Sequence, residues 1–293
     1  MPEYPVITHE GQEVPWTELR LEPRLANTDE DIDRNIEHAL TLGLPTFQGI
    51  LETEEGAVSI VGSGPSLKEN WRKMVDSGHD IMACNAACQF LLERDIVPKY
   101  MFCFDADPLM LEFITARPDI TYLMASRSPP KAFELLAGCK VVLWHAAGDK
   151  NINPILEKHH RLEPMISGGS AAVTRSMVLS VSLGYRSVHL WGCDSSFHNG
   201  ATHIRQSTTK ERQLQIMCNN RVFYCAPWMA LQANDFKVLA PSLRSMGVRV
   251  VVHGDGLIPH LAKAMQFDTD GESRVTQIWR DVRHKAGILW SQL

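Results

Sequence analysis

The chain has no apolar run near the ~20 residues that a bilayer-spanning helix requires. Its longest apolar stretches, such as Met177–Leu183 and Ser187–Gly192, fall far short of that. Positive charge is not in excess: 29 Lys and Arg stand against 34 Asp and Glu, a net charge of -5. General nucleic-acid binding is therefore not expected, because no broad cationic field attracts the phosphate backbone. Seven cysteines, at 84, 88, 103, 139, 193, 218 and 225, include no CxxC pair, so zinc-finger spacing is missing. Cys84 and Cys88 are spaced for one face of a helix start and read as packing residues, and the odd total in apolar segments reads as reduced core thiols. The opening MPEYPVITHEGQEVPW lacks the basic and apolar regions of a secretory leader. A cytoplasmic protein without membrane attachment is expected. What the chain does have, 293 residues at 44% hydrophobic content, is enough for a substantial globular core.

Residues 1–28 carry Pro2, Pro5, Pro15 and Pro23 among mixed charges and read as an irregular surface arm. The run NTDEDIDRNIEHALTLG predicts a helix, capped by Asn27 or Thr28, acidic in its first turn, with Ile32, Ile36, Leu40 and Leu42 on its apolar side. Gly43 and Pro45 end it. From Ala57 short β-rich runs alternate with helical ones: AVSIVG, DIMACN, YMFCFD, ITYLMA, KVVLWH, SVHLWGCD and VRVVVHG. That rhythm predicts an α/β fold of three layers with a mostly parallel central sheet. The expected organisation is an N-terminal arm and helix over 1–55, a nucleotide-binding α/β domain over 56–265, and a C-terminal helix over 266–293 bearing Val275, Ile278, Trp279 and Val282 on one side. Docking of that helix on its own core is expected ahead of a second subunit, and a homo-oligomer stays open.

Ligands of parallel sheets sit beyond the carboxyl ends of the strands, so the residues there are the candidates. Gly62-Ser63-Gly64-Pro65-Ser66 follows the first strand. Its glycines permit close approach of a ligand and Ser66 can cap the next helix, which makes a phosphate cradle or simply a tight turn. Leu67 stands where a dinucleotide fingerprint needs its third glycine, and no GK[ST] follows. Asn85 ends the second strand, as a reader of base or ribose or as a helix cap. Asp105 and Asp107, in Phe104-Asp105-Ala106-Asp107-Pro108, can share a divalent cation, and a cap accounts only for Asp107. His145 and the turn to Asp149 follow the fifth run, and Ser167-Gly168-Gly169-Ser170 opens a long helix whose amides suit an anion or whose small residues suit packing. Asp194 follows a later strand, with His198 and His203 in the polar segment behind it. The stretch Ile204–Arg221, with Arg205, Lys210, Arg212 and Arg221, reads as a polar lid or a helix beside this rim. Phe104, His145, Phe197 and Tyr224 are candidates to line an acceptor pocket or to lie in the core.

AVSIVGSGPSL, the strand-end Asn85, the FDAD step, ISGGSAA and LWGCDSSFHNGATH, in that order between about Asn27 and Met265, resemble the MptE-like family (domain of unknown function 115). That family takes its name from the archaeal 6-hydroxymethyl-7,8-dihydropterin diphosphokinase and includes motility accessory factors thought to glycosylate flagellin. The glycine loop also resembles the GNGPSL loop of bacterial sialyltransferases that bind a CMP-sugar. The resemblance implies a Rossmann-like, nucleotide-handling transferase. Gly62, Ser63, Gly64, Pro65 and Ser66 would hold phosphates and Asn85 the nucleoside, with a further phosphate or sugar at Ser167, Gly168 and Gly169. Asp105 and Asp107 would place magnesium, Asp194 would orient the acceptor, and His203 would act as acid or base. The partners implied are a nucleotide and a small-molecule acceptor, with Mg2+ and ATP in a diphosphate transfer to a hydroxymethylpterin-like acceptor. A glycosyltransferase using a CMP-type sugar is the alternative, although the sialyltransferases' catalytic histidine and tyrosine pair has no clear counterpart after Asp194. A binding module without catalysis is the third reading.

Overall fold

The structure, a computed structural model, describes residues 5–7, 13–16, 27–49, 56–198, 200–204 and 214–269. Its strands and helices run β1 Pro5–Ile7, β2 Glu13–Pro15, α1 Asp29–Thr41, β3 Val58–Val61, α2 Leu67–Asp76, β4 Asp80–Cys84, α3 Ala86–Leu92, β5 Tyr100–Cys103 and a short 3-10 helix Pro108–Phe113. They continue with β6 Thr121–Ala125, α4 Pro130–Leu135, β7 Lys140–Ala146, α5 Ile152–Lys158, β8 Met165–Ile166, α6 Ala172–Ser182, β9 Ser187–Trp191, β10 Leu214–Cys218, β11 Arg221–Cys225, α7 Pro227–Ser245, β12 Arg249–Val252, α8 Leu257–Ala264 and β13 Asp268–Thr269.

Nine strands form the central sheet in the order β13-β12-β9-β3-β4-β5-β6-β7-β8, and every pairing in it is parallel. The chain steps outward from β3 as far as β8, returns to the other side of β3 as β9, and continues to β12 and β13. Order therefore reverses between β3 and β9, the place where a parallel sheet leaves a crevice beyond its strand ends. Strand residues alternate between two apolar layers. Val58 and Ile60 of β3 pack on the side of α6, α7 and α8. Val61 packs with Ile32, Ile36, Ala39 and Leu40 of α1 on the side that α2 to α5 also cover. Helix α1 is capped by Thr28, one of the two caps its sequence offers, in a reciprocal capping box with Asp31.

Two expectations need correction. The N-terminal segment is not wholly irregular: β1 and β2 pair antiparallel with each other, and β1 pairs with β10. A second sheet, β11-β10-β1-β2, results, and Trp16 at its end joins the main core. The stretch expected as a lid or helix instead supplies β10, and Arg221 opens β11, where it pairs with Asp255 at 2.7 Å. Arg205, Lys210 and Arg212, and the C-terminal side chains Val275, Ile278, Trp279 and Val282, lie outside the described residues. The sheet itself continues past Met265 to β13. None of the seven cysteines forms a disulfide, and six are buried. No helix among the described residues is long and apolar enough to cross a membrane.

Candidate active site

A cleft of about 620 Å3 opens at the carboxyl ends of the central strands, within the usual size of a small-molecule site. Six strands deliver residues to it from their carboxyl ends: Gly62, Ser63 and Gly64 after β3, Asn85 after β4, Asp105 and Asp107 after β5, Arg127 after β6, Asp149 after β7, and Asp194 and Ser195 after β9. The first turn of α6 and Trp228 and Gln232 of α7 close the other wall.

Asn85 sits at φ 47°, ψ -123°, a conformation that costs a non-glycine residue on the order of 1–3 kcal/mol. It makes no side-chain cap for α3, so the cap reading fails. Its Nδ2 donates to Asp105 Oδ2 at 2.7 Å, while its Oδ1 is buried without a hydrogen-bond partner. Burial raises the Asp105 carboxyl above the ordinary range. The Asn85 bond and the Arg127 charge oppose the shift, and Asp107 adds to it. Asp107 caps the 3-10 helix, Oδ1 accepting from the Leu109 amide at 2.8 Å. The pair fits a magnesium site of the kind completed by substrate phosphates, which needs only one or two carboxylates. Among the described residues no cluster of three metal-ligating side chains forms.

Asp194 borders the cleft, but both of its carboxylate oxygens are taken up by Ser66. It is buried, its Oδ2 accepts the Ser66 amide at 2.8 Å, and its Oδ1 accepts the Ser66 hydroxyl at 2.5 Å. The N-terminus of α2, expected to meet phosphate, is thus already held by the chain's own carboxylate. Ser66 and Pro65 do not line the cleft, although Gly62, Ser63 and Gly64 do. The glycines serve this closure: a Cβ on Gly64 would stand 2.5 Å from Asp194 Oδ2 and 2.6 Å from the Gly192 carbonyl oxygen.

The second glycine loop is corrected in the same way. Ser167, Gly168 and Gly169 do not line the cleft. Asp235 of α7 accepts both the amide and the hydroxyl of Ser170, at 2.8 and 2.7 Å, and a Cβ on Gly169 would meet that carboxylate at 2.5 Å. Just beyond, Ala171, Ala172 and Val173 do line the cleft, and α6 has no side-chain cap. Its first-turn amides are the open helix N-terminus at this site.

His203 lies in the cleft wall, stacked on Trp228 with ring centres 5.6 Å apart and Nδ1 3.0 Å from Thr202 Oγ1. Burial lowers its pKa. His198 lies outside the cleft. Of the aromatic candidates only Phe104 lines it. His145 is wholly buried, Phe197 packs on the core, and Tyr224 is exposed.

Sequence reasoning missed two buried arginines. Arg127 and Arg175 stand 4.8 and 4.5 Å from the ring centre of Phe104. Arg127 donates to Asp149 at 2.8 Å. Arg175 donates to the carbonyls of Gly169, Ile166 and Ala147, and burial brings its pKa down to about 10. Arg127 follows the β-run ITYLMA directly, and reading past that strand end as past the others would have found it. Arg175 lies inside a helix, where no spacing rule marks it.

The family described as 6-hydroxymethylpterin diphosphokinase MptE-like matches residues 30–200. The chain belongs to the MptE-like family. That family makes this protein a transferase. Its MptE-like fold is shared with the MAf glycosyltransferase from Magnetospirillum magneticum AMB-1, at a TM-score of 0.61 and 16% identity over 80% of this chain. The match covers 38% of the glycosyltransferase, so this chain corresponds to well under half of that protein. A mammalian sialyltransferase is also similar, at a TM-score of 0.39 and 13% identity over 84% of this chain and 88% of the other, too low a score to carry an argument. Among curated proteins none matches the chain.

Proposed function

We propose that this MptE-like chain transfers a diphosphate from ATP to the hydroxyl of a hydroxymethylpterin-like acceptor, in the cleft at the β3/β9 switch point. The observation that carries the proposal is the convergence there of the uncapped N-terminus of α6, the strained Asn85 with its unpaired Oδ1, and the half-buried carboxyl of Asp105. Phosphates would lie against the first-turn amides of α6, in the field of Arg175. Asn85 Oδ1 would accept from a hydroxyl or amino group of the nucleoside. His203, held neutral at pH 7 by its lowered pKa, stands as the group to take the acceptor's proton. Asp105 and Asp107 would hold Mg2+, which when bound neutralises phosphate charge.

The second reading is glycosyl transfer from a nucleotide-activated sugar of the CMP type. The fold shared with the MAf glycosyltransferase supports it. Thermal unfolding with ATP, CMP and UDP separates the two. A ligand present at 100 times its dissociation constant adds ~2.7 kcal/mol to stability. Selective stabilisation by ATP with Mg2+ is the expected result; selective stabilisation by CMP would overturn the diphosphate reading in favour of the sugar.

A further inference from the structure

Arg127 and Asp149 enter the cleft from neighbouring strand ends, β6 and β7, and form a buried ion pair at 2.8 Å. The two side chains are 10% and 5% exposed. Each also has one polar atom with no partner: Nε of Arg127 and Oδ2 of Asp149. A buried ion pair that leaves a donor and an acceptor unmade on the wall of a cleft is costly unless something completes it. The surroundings decide what that is. Asp29 and Asp33, at the start of α1, add negative charge beside Asp149; Asp29 pairs with the exposed Lys150 at 3.0 Å and Asp33 accepts from the half-buried Asn151 at 2.7 Å. Arg127 and Arg175 place positive charge beside Asp149 as well, but a phosphate or carboxylate, carrying only acceptor atoms, would leave Asp149 Oδ2 unmet. A neutral group offering an N–H beside an acceptor atom meets both unmade atoms at once.

We infer that Arg127 and Asp149 form a recognition pair for the flat edge of a neutral nitrogen heterocycle, Asp149 Oδ2 accepting its N–H and Arg127 Nε donating to the adjacent oxygen or ring nitrogen. The inference rests on the reading of the cleft as a transferase site and specifies what that site selects. Two ligands of the proposed reaction carry such an edge, the lactam of the pterin and the amino-pyrimidine edge of adenine, and the Phe104 ring, 4.8 Å from Arg127 and 4.5 Å from Arg175, stands beside the pair.

The test measures binding to the full chain by equilibrium titration with 6-hydroxymethylpterin, its N3-methyl derivative, ATP and N6,N6-dimethyl-ATP. Methylation of the edge that the pair reads weakens binding at least tenfold, while methylation of the other ligand changes it less than twofold. A pterin penalty assigns the pair to the acceptor, and an adenine penalty assigns it to the donor. In Asp149→Asn that penalty shrinks below threefold. If both methylated ligands bind within twofold of their parents, or if neither parent binds, the inference is overturned; the comparison within unaltered protein keeps this true even where Asp149→Asn does not fold. The two readings fail separately. Nucleoside monophosphate formed at equal rates with pterin and N3-methylpterin, as AMP from ATP and as N6,N6-dimethyl-AMP from its dimethyl derivative, leaves the transferase and removes the pair. A methylation penalty in binding without AMP formation keeps the pair and removes the diphosphate transfer.

Discussion

Asp194 spends both carboxylate oxygens on Ser66, and the glycines around it are the space that this requires. Gly254 and Gly256 close over the same group: a Cβ on Gly256 would lie 2.4 Å from Asp194 Cα, and one on Gly254 would lie 2.6 Å from Ser66 Oγ. The loops after β3, β9 and β12 are therefore tied at one carboxylate. Hydrogen bonds to a charged acceptor are worth about 1.5–3 kcal/mol each, so Asp194→Ala should lower unfolding stability by roughly 3 kcal/mol in urea titration. Ser66→Ala should lower it less, with nucleotide affinity within a factor of about two, because Ser66 binds Asp194 and not the ligand. Asn85→Ala behaves in the opposite sense. It loses the unpaired Oδ1 and the bond that positions Asp105, so turnover should fall at least tenfold while stability changes little, since strain at φ 47° is kept. A Ser66→Ala protein that no longer binds nucleotide would show that the glycine loop is the phosphate site after all.

Two elements carry separable predictions. The N-terminus of α6 is open, and Ala171, preceding its first helical residue, has φ -117°, ψ 151°. That extended conformation is the one a following proline prefers, and proline is tolerated at the first helical position. Ala172→Pro should thus remove one amide from the proposed phosphate site, weakening nucleotide binding about tenfold with a stability change below ~1 kcal/mol. Three histidines, before β4, on β9 and after β12, cluster across β3. His189 Nδ1 lies 3.1 Å from His253 Nε2, the His79 ring is 4.2 Å from that of His189, and Trp191 covers His253 at 3.5 Å. Burial first, then His79, His253 and Arg249, bring the His189 pKa down to about 3, with Asp268 opposing. Burial brings His145 down to about 4. Both take up protons more readily when unfolded, so their contribution is full above pH ~6.5 and is lost as pH falls toward the folded values. Stability should drop between pH 6.5 and 4, at up to about 1.4 kcal/mol per pH unit for each histidine, and His145→Gln should flatten that slope. A slope unchanged by the substitution would show that His145 is not one of its sources.

For the whole molecule, the alternation of β-rich and helical runs was enough to read a parallel α/β sheet, and the strand-end rule located Asn85, Asp105 and Asp107 in the cleft. What stayed hidden depends on pairings distant in sequence. Ser66 and Asp194 are 128 residues apart, and nothing local shows that one satisfies the other. Asp107 and Asp194 look alike as acids after strands, yet only the register of β9 beside β3 turns Asp194 inward onto a helix end. The N-terminal prolines suggested irregularity because proline suits an edge strand as well as a coil, and the partner, β10, comes some two hundred residues later. Its hairpin was signalled, since Asn219 and Asn220, both at positive φ, separate LQIMC from RVFYC as a two-residue turn should. The central claim is that this cleft moves a diphosphate from ATP. Its most direct measurement is AMP release from ATP, Mg2+ and 6-hydroxymethyl-7,8-dihydropterin by the full chain and by Asp105→Asn. The expected products are AMP and a pterin diphosphate in equal amounts, reduced at least a hundredfold in the variant. Absence of both products, or turnover unchanged by Asp105→Asn, would contradict it.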